Sequence, residues 1–148
     1  NDKSLIADYQ KVAQIMSDGK VTLEEYNYAS NNVKQILQSI YKQAVENGGL
    51  ESIGTQSTTF TNEFTKKTLD VTSALIEDSK AVAQILSDGT VTKKEYDSAS
   101  DSAKMMLDCI KDKAFAGGGV LFNGTNANGE ECIGYSEKFI NTVINEIF

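Results

Sequence analysis

The chain has 148 residues, enough for one domain with a hydrophobic core or for two small halves packed together. It contains no His, Pro or Trp, every basic residue is Lys, and the net charge is −7. Without His the chain lacks the side chain best suited to proton transfer near neutral pH and the commonest metal ligand. The negative charge disfavours nucleic acid and anionic membranes as partners. We therefore expect no enzymatic activity, no cofactor, and a partner protein with a basic surface.

Apolar residues recur at three- and four-residue spacing in the first segment, which predicts a helix along Leu5, Ile6, Tyr9, Val12, Ala13 and Met16. A second helix is predicted over residues 22–46, and the Gly pair that follows should end it. Residues 51–57 are polar and predict a loop. A third, long helix is predicted over residues 58–86, which contain neither Pro nor Gly.

A fourth helix is predicted over residues 92–115, before a run of three glycines. Two Asn-Gly pairs then favour turns, so residues 120–122 and 132–134 predict a small β-hairpin or loop. The last helix is predicted over residues 136–148. These elements indicate an all-α fold, a five-helix bundle in which two helix-turn-helix units are repeated.

The repeat itself is visible in the sequence, since residues 5–37 align with residues 75–107 at a constant offset of 70. Eighteen of these 33 paired positions are identical, and no gap is needed. Similarity at a fixed period indicates a repeated supersecondary unit. We expect a single domain over residues 1–148 with an internal duplication, unit one covering residues 1–60 and unit two residues 71–148.

The motif SDGxVTxxEY occurs in both copies, at residues 17–26 and 87–96. We predict that its Gly closes one helix, its Thr caps the next, and its Glu completes a capping box with that Thr. The residues concerned are Gly19, Thr22, Glu25, Gly89, Thr92 and Glu95. The motif also resembles the end of a calcium-binding EF-hand loop, but the positions of the first ligands hold Gln and an apolar residue. Because of this resemblance, a divergent calcium-responsive helical module is kept as an alternative.

Two cysteines, Cys109 near the end of the fourth helix and Cys132 after the glycine run, are expected to form one structural disulfide, with two free buried thiols as the alternative. Neither has a His to activate it, so a nucleophilic role is not expected. A disulfide would favour an oxidising compartment. The chain begins at Asn1 without an initiator Met, as a mature secreted protein or a trimmed sequence would, and we expect a periplasmic or secreted location. No apolar run approaches the roughly 18–20 residues needed to cross a bilayer, so membrane insertion is not expected.

Cys109 at a helix end, followed by Cys132-Ile133-Gly134-Tyr135 before a terminal amphipathic helix, resembles the Cys…C-x-G-Y pattern of Rap/Tai-type immunity proteins. The resemblance covers about a quarter of the chain. It implies a small helical periplasmic protein that neutralises effectors of type VI secretion, commonly cell-wall amidases.

The binding surface is expected to use tyrosines next to acidic residues, because Tyr combines a rigid apolar body with a polar tip. The loop of residues 117–131, rich in Gly and Asn, could enter a partner's cleft. The predicted partner-binding residues are Tyr9, Tyr28, Asn128, Glu130, Glu131 and Tyr135. The sequence thus favours a non-enzymatic immunity or inhibitor protein that covers the active site of a partner. A structural or assembly protein acting through self-association is the other alternative, and the oligomeric state stays open.

Overall fold

A computed structural model describes residues 4–148, which form seven helices and two three-stranded antiparallel sheets. The helices are α1 (Leu5–Met16), α2 (Leu23–Tyr28), α3 (Asn31–Asn47), α4 (Asn62–Leu86), α5 (Lys93–Ser98), α6 (Asp101–Gly117) and α7 (Glu137–Ile147). The strands are β1 (Lys20–Thr22), β2 (Leu50–Ile53), β3 (Ser57–Phe60), β4 (Thr90–Thr92), β5 (Val120–Thr125) and β6 (Glu131–Tyr135).

The predicted all-α five-helix bundle is wrong, because the fold is mixed α/β with 65% helix and 17% strand. Residues 20–22 and 90–92 form strands of three residues each, too short to show an alternating pattern of apolar and polar side chains. Residues 57–60, which the prediction divided between a loop and the start of the long helix, form β3. That helix begins only at Asn62, and the Thr61 hydroxyl accepts a hydrogen bond from the Phe64 N–H.

The predicted helix over residues 22–46 is in fact two helices, α2 and α3. Ala29 and Ser30 have extended backbones, and the Ser30 hydroxyl accepts a hydrogen bond from the Val33 N–H at 3.2 Å. Ser100 separates α5 from α6 in the same way and accepts from the Ala103 N–H at 3.1 Å. A serine that caps a new helix satisfies one of the backbone donors left at its start, so the break is local in origin.

Each sheet places its last strand in the centre. The first has the order β1-β3-β2, with Lys20 opposite Thr59 and Thr22 opposite Ser57. The second has the order β4-β6-β5, with Thr92 opposite Cys132. The predicted hairpin before the last helix is present, and its strands are longer than predicted. Both copies of the repeat therefore contain a helix, a strand, two helices and a hairpin.

The chain forms two compact units, one up to Ile76 and one from Glu77 to Phe148. From here on, unit 1 and unit 2 mean these two observed parts of the chain and not the predicted ones. The boundary between them lies within α4. The core of unit 1 consists of Val12, Ile15, Met16, Val33, Leu37, Ile40, Ala44 and Phe60. Seven of these have buried counterparts in unit 2, namely Val82, Leu86, Ala103, Leu107, Ile110, Ala114 and Tyr135. Each core thus takes residues from the first helix, the longer helix of the following pair, and the central strand.

Candidate functional site: two equivalent grooves

Unit 1 has a groove of about 300 Å³, which we call groove 1. It is lined by residues of β1, α2, α3 and the β2–β3 hairpin. Its inner wall contains the side chains of Val21, Tyr26, Leu37 and Phe60, which either belong to the core of unit 1 or pack against it. The groove exists because the hairpin and the two helices pack on the same core without covering β1 completely.

Unit 2 has the corresponding groove, here called groove 2, with a volume of about 510 Å³. Its inner wall contains the equivalent residues Val91, Tyr96, Leu107 and Tyr135. The β5–β6 hairpin beside groove 2 is closed by the pair Val120 and Tyr135, and the β2–β3 hairpin beside groove 1 by the pair Leu50 and Phe60. The hairpin of groove 2 is therefore five residues longer. The same local fold thus builds a groove twice, with similar inner walls and different hairpins.

The repeated capping motif forms one edge of each groove. In unit 1 the Glu25 N–H donates to the Thr22 hydroxyl at 3.0 Å, and the Thr22 N–H donates to the Glu25 carboxylate at 2.9 Å. Thr92 and Glu95 repeat both bonds, at 3.1 and 3.0 Å. Two hydrogen bonds between side chain and backbone thus cap the first turn of α2, and two cap that of α5. The capping-box prediction is confirmed in both units.

The role predicted for Gly19 and Gly89 needs a correction. α1 ends at Met16, and Ser17, in a right-handed helical conformation, is the residue that caps it. Gly19 lies two residues further on with φ +75°, and Gly89 has φ +81°. These glycines let the chain turn out of the helix into β1 and β4, since the left-handed region is costly for other residues.

The carboxylates of the motif are engaged by the backbone. Asp18 accepts a hydrogen bond from the Lys20 N–H at 3.0 Å, and Asp88 accepts from the Thr90 N–H at the same distance. Within residues 4–148, no group of three or more His, Cys, Asp or Glu side chains is arranged to hold a metal ion. The calcium alternative therefore has no assembled ligand set in the part of the chain that the structure describes.

The rims of the two grooves differ in chemistry at equivalent positions. Groove 1 has Leu23, Gln38 and Tyr41 where groove 2 has Lys93, Asp108 and Lys111. Ile53, next to groove 1, corresponds to Asn123, which lines groove 2. The rim of groove 1 is therefore mostly apolar, and the rim of groove 2 is charged.

Exposed apolar side chains lie in groove 1 and close to it in sequence. Leu23 and Tyr41 line the groove and are 45% and 40% exposed. Val45 lies one helical turn beyond Tyr41 at 54% exposure, and Ile53, just before Gly54 of the groove, is 61% exposed. We call these four residues the apolar patch. Exposed apolar side chains in and beside a groove are typical of surfaces that bind another macromolecule.

The charges of groove 2 are only partly paired. The Lys93 ammonium binds Asp97 at 3.0 Å, and this hydrogen bond and the Asp97 charge, with Glu131 nearby, raise the pKa of Lys93. The Tyr96 hydroxyl donates to Asp108 at 3.1 Å, and this bond raises the pKa of Tyr96. Asp108 thus accepts a hydrogen bond from a neutral donor. Among the described residues, Asp108, Lys111 and Glu131 form no ion pair within 4 Å.

Groove 2 brings together two of the predicted partner-binding residues, Glu131 and Tyr135. Tyr135 is not an exposed anchor, however, because it is buried, and its ring packs at 5.5 Å from that of Phe139. Burial also raises its pKa. Asn128 is exposed in the β5–β6 turn, where its N–H donates to the Asn126 side chain, and Glu130 follows at the end of the same turn.

The other two predicted anchors lie outside the grooves, in unit 1. Tyr9 is half-buried in α1 and lines a separate cavity of about 460 Å³, and burial, with a contribution from Asp8, raises its pKa. Tyr28, the last residue of α2, is 85% exposed. The predicted residues are therefore divided between the two units, and of these six only Glu131 and Tyr135 line groove 2.

The expected disulfide is absent from the structure, where Cys109 and Cys132 are free. Leu107 and Ile110 are on the buried face of α6, and Cys109, between them in sequence, projects from the outer face and is exposed. Cys132 is buried in β6 and lines groove 2. Cys109 is exposed because the opposite face of α6 packs on the core.

The rim residues of the grooves were not predicted as site residues, although the sequence contains a signal for them. At an offset of 70, most positions that face the core are apolar in both copies. Three rim positions instead change from an apolar or neutral residue to a charged one, namely Leu23/Lys93, Gln38/Asp108 and Tyr41/Lys111. A position that changes character between two copies of one fold is a candidate for a copy-specific surface.

No helix within residues 4–148 combines the length and apolar character needed to cross a membrane. Comparison of the chain with protein-family models, with curated proteins and with solved structures finds no match.

Proposed function

We propose that this chain is a non-enzymatic protein-binding protein whose contact surface is the apolar patch of unit 1 together with groove 1. The observation that carries the proposal is the exposure of Leu23, Tyr41, Val45 and Ile53 around an open groove. A partner that inserted apolar side chains there would remove this surface from water, which stabilises a complex by roughly 25 cal/mol per Å² of apolar area.

Charges around the apolar patch favour a basic partner. Glu24, Glu46 and Glu51 are exposed, and each lies within two residues of a member of the patch, whereas Lys42 is the basic neighbour. With the net charge of −7, these carboxylates would attract a partner with a positive rim and speed its association at low salt.

The specific form that we propose is an exported immunity or inhibitor protein that covers the active site of a cell-wall-cleaving effector. Its support is the C-x-G-Y resemblance at Cys132, the acidic charge, and the long β5–β6 hairpin with Asn128 and Glu130 in its turn. The free thiols remove the disulfide from that support, so the proposal depends on the surface rather than on redox state.

The test measures binding of the intact chain to a panel of purified cell-wall-cleaving effectors by biolayer interferometry, at 50 and 500 mM salt. We expect nanomolar binding to a basic member of the panel, weakened at the higher salt. The double variant L23S/I53S should bind that effector at least tenfold more weakly, which corresponds to about 1.4 kcal/mol. The matched control is M105S, because Met105 is an apolar residue outside the apolar patch and, at 69%, is more exposed than either Leu23 or Ile53.

Three outcomes would overturn the proposal in its specific form. The first is that no effector of the panel binds at nanomolar concentration, and the second is that M105S weakens binding as much as L23S/I53S does. The third is a mass that rises with concentration in sedimentation velocity and that L23S/I53S abolishes. That result would make the apolar patch a contact between copies of the chain and would support the assembly alternative.

A further inference from the structure

We infer that groove 2 binds a Lys or Arg side chain presented by an extended segment of a partner protein. The inference rests on the proposed protein-binding function and adds a second contact with a different chemistry. It starts from a cavity of about 510 Å³, which is larger than groove 1 and has an apolar inner wall with charges at its rim. Concave sites of this kind, with a few convergent polar groups, are the usual form of a binding site.

The inner wall suits the methylene stem of a long basic side chain. Val91, Leu107 and Ile133 line groove 2, and Leu107 is buried while the other two are partly exposed. Lys and Arg place their stems on apolar surface and keep the charged group at a polar rim. A carboxylate side chain has no stem of that length, so it would gain less from the same wall.

The rim of groove 2 then selects the charge. Lys93 is neutralised by Asp97 at 3.0 Å, so it contributes little net positive charge. Asp108 and Glu131 remain as two carboxylates without an ion pair, against one unpaired cation, Lys111. The Tyr96 hydroxyl, at 3.1 Å from Asp108, orients that carboxylate at the edge of the groove. Counted together with Asp97, which pairs with Lys93, the two lysines and three carboxylates carry a net charge of −1, and this charge is complementary to a cationic group.

Unit 1 provides an internal control for this argument. The position of Asp108 is Gln38 in groove 1, and the Gln38 amide donates to the Tyr26 hydroxyl, the reverse of the Tyr96–Asp108 bond. Cys132 pairs with Thr92 as Ser57 pairs with Thr22, so the residues that precede them, Glu131 and Gln56, occupy equivalent positions. Both carboxylates of groove 2 are thus neutral amides in groove 1, and Leu23 and Tyr41 replace Lys93 and Lys111, so groove 1 has no charged rim to attract a cation.

The test uses the intact chain labelled with ¹⁵N and the peptide Ac-Leu-Lys-Leu-Lys-NH₂ as the probe. The amides of Gly124 in groove 2 and Gly54 in groove 1 occupy equivalent positions and report on the two sites. We expect the probe to shift the Gly124 signal in a saturable way and to shift Gly54 less. A peptide with norleucine in place of Lys should lose the Gly124 shift, as should the Lys peptide at 500 mM salt.

Variants separate charge from folding. D108N and E131Q should each weaken binding of the Lys peptide at Gly124 at least fivefold. D112N, which removes an exposed carboxylate of α6 that does not line groove 2, should change it less than twofold. Y96F keeps the carboxylate of Asp108 and removes only its hydrogen-bond donor, so it should retain most of the binding.

The inference fails if the Lys peptide does not shift Gly124, if D112N weakens binding as much as D108N, or if spermidine binds as tightly as the peptide. The last result would identify a free polyamine rather than a protein segment as the occupant. The outcome is independent of the L23S/I53S experiment. If L23S/I53S loses effector binding and the Lys peptide does not shift the Gly124 signal of the unmodified chain, the proposed function stands and only groove 2 is rejected as a contact.

Discussion

Units 1 and 2 share a skeleton and differ in the surface that it carries. The two capping boxes have hydrogen bonds within 0.1 Å of each other, and the Phe60 N–H donates to Gly19 at 2.8 Å just as the Tyr135 N–H donates to Gly89 at 2.7 Å. The rims diverge from Leu23 to Lys93 and from Tyr41 to Lys111. The skeleton is constrained by backbone hydrogen bonds and close packing, which tolerate little change, whereas exposed rim positions are free to acquire new chemistry.

The first and largest test of the shared skeleton is a pair of glycine substitutions. A Cβ at Gly119 would lie 2.7 Å from the Phe139 ring, and one at Gly49 would lie 2.5 Å from the Phe64 ring. Because the contacts include the Cβ and the base of each ring, the rings cannot simply swing away. We expect Gly119→Ala and Gly49→Ala each to lower the free energy of unfolding by about 2 kcal/mol, measured by urea unfolding of the intact chain.

The control for these glycines is Gly117→Ala, since a Cβ at Gly117 meets no atom within 4 Å and the residue is the last of α6. Alanine favours the helix there and lowers the entropy of the unfolded chain, so this variant should be neutral or slightly more stable. If Gly49→Ala proved harmless while Gly119→Ala was costly, the two units would not share this packing.

The second test removes the caps. Thr22→Ala and Thr92→Ala each delete the hydroxyl that accepts the N–H of Glu25 or Glu95, so each should lower the free energy of unfolding by about 1 kcal/mol. The effect should be similar in the two units, because each Thr hydroxyl accepts the same N–H bond, although the Thr92 hydroxyl also donates to the Glu95 carboxylate at 3.3 Å. Thr142→Ala is the control, since the exposed Thr142 hydroxyl only donates to a carbonyl of its own helix and does not cap it. A loss in Thr142→Ala as large as in Thr22→Ala would argue against a specific capping role.

The third and smallest test concerns a place where the cores differ. The buried Thr65 hydroxyl in α4 has no hydrogen-bond partner among the described residues, and its position after β3 corresponds to the buried Ile140 after β6. Valine has nearly the same shape without the polar atom. We expect Thr65→Val to raise the free energy of unfolding by about 0.5–1 kcal/mol in urea unfolding.

Ile140→Thr makes the opposite exchange in unit 2 and should lower the stability. If Thr65→Val were destabilising, the hydroxyl would have a structural role that its surroundings do not reveal. Together the two variants test whether unit 2 has the more completely apolar core at this position.

Local features of the fold were predictable from the sequence, and the residues show why. Thr22 and Glu25 are three positions apart, so their capping box needs no tertiary contact. The breaks at Ser30 and Ser100 are equally local and were missed, because the apolar spacing continues across them and suggested one uninterrupted helix. The chain reversal before the last helix followed from the Asn128-Gly129 pair, which lies in the β5–β6 turn, whereas Asn123-Gly124, also expected to form a turn, lies within β5.

The sheets could not be predicted in this way. β1 and β4 have three residues each, and each forms only because β3 or β6, about forty residues further along, supplies its hydrogen-bond partners. Neither has enough residues to show a period of two, so helical periodicity in the flanking segments dominated the prediction. The grooves depend on the sheets, and the site residues Lys93, Asp108 and Lys111 were missed for the same reason.

The sequence by itself determined the duplication, the two capping boxes and the acidic charge, because identity at a fixed offset, side chain-to-backbone bonds and net charge are readable from neighbouring or aligned residues. Only the tertiary structure decided that Tyr135 is buried and Cys109 exposed, and that Leu23 and Lys93 lie at equivalent rims. These properties depend on which face of each helix or strand packs on the core, and that is settled by contacts between residues far apart in the chain.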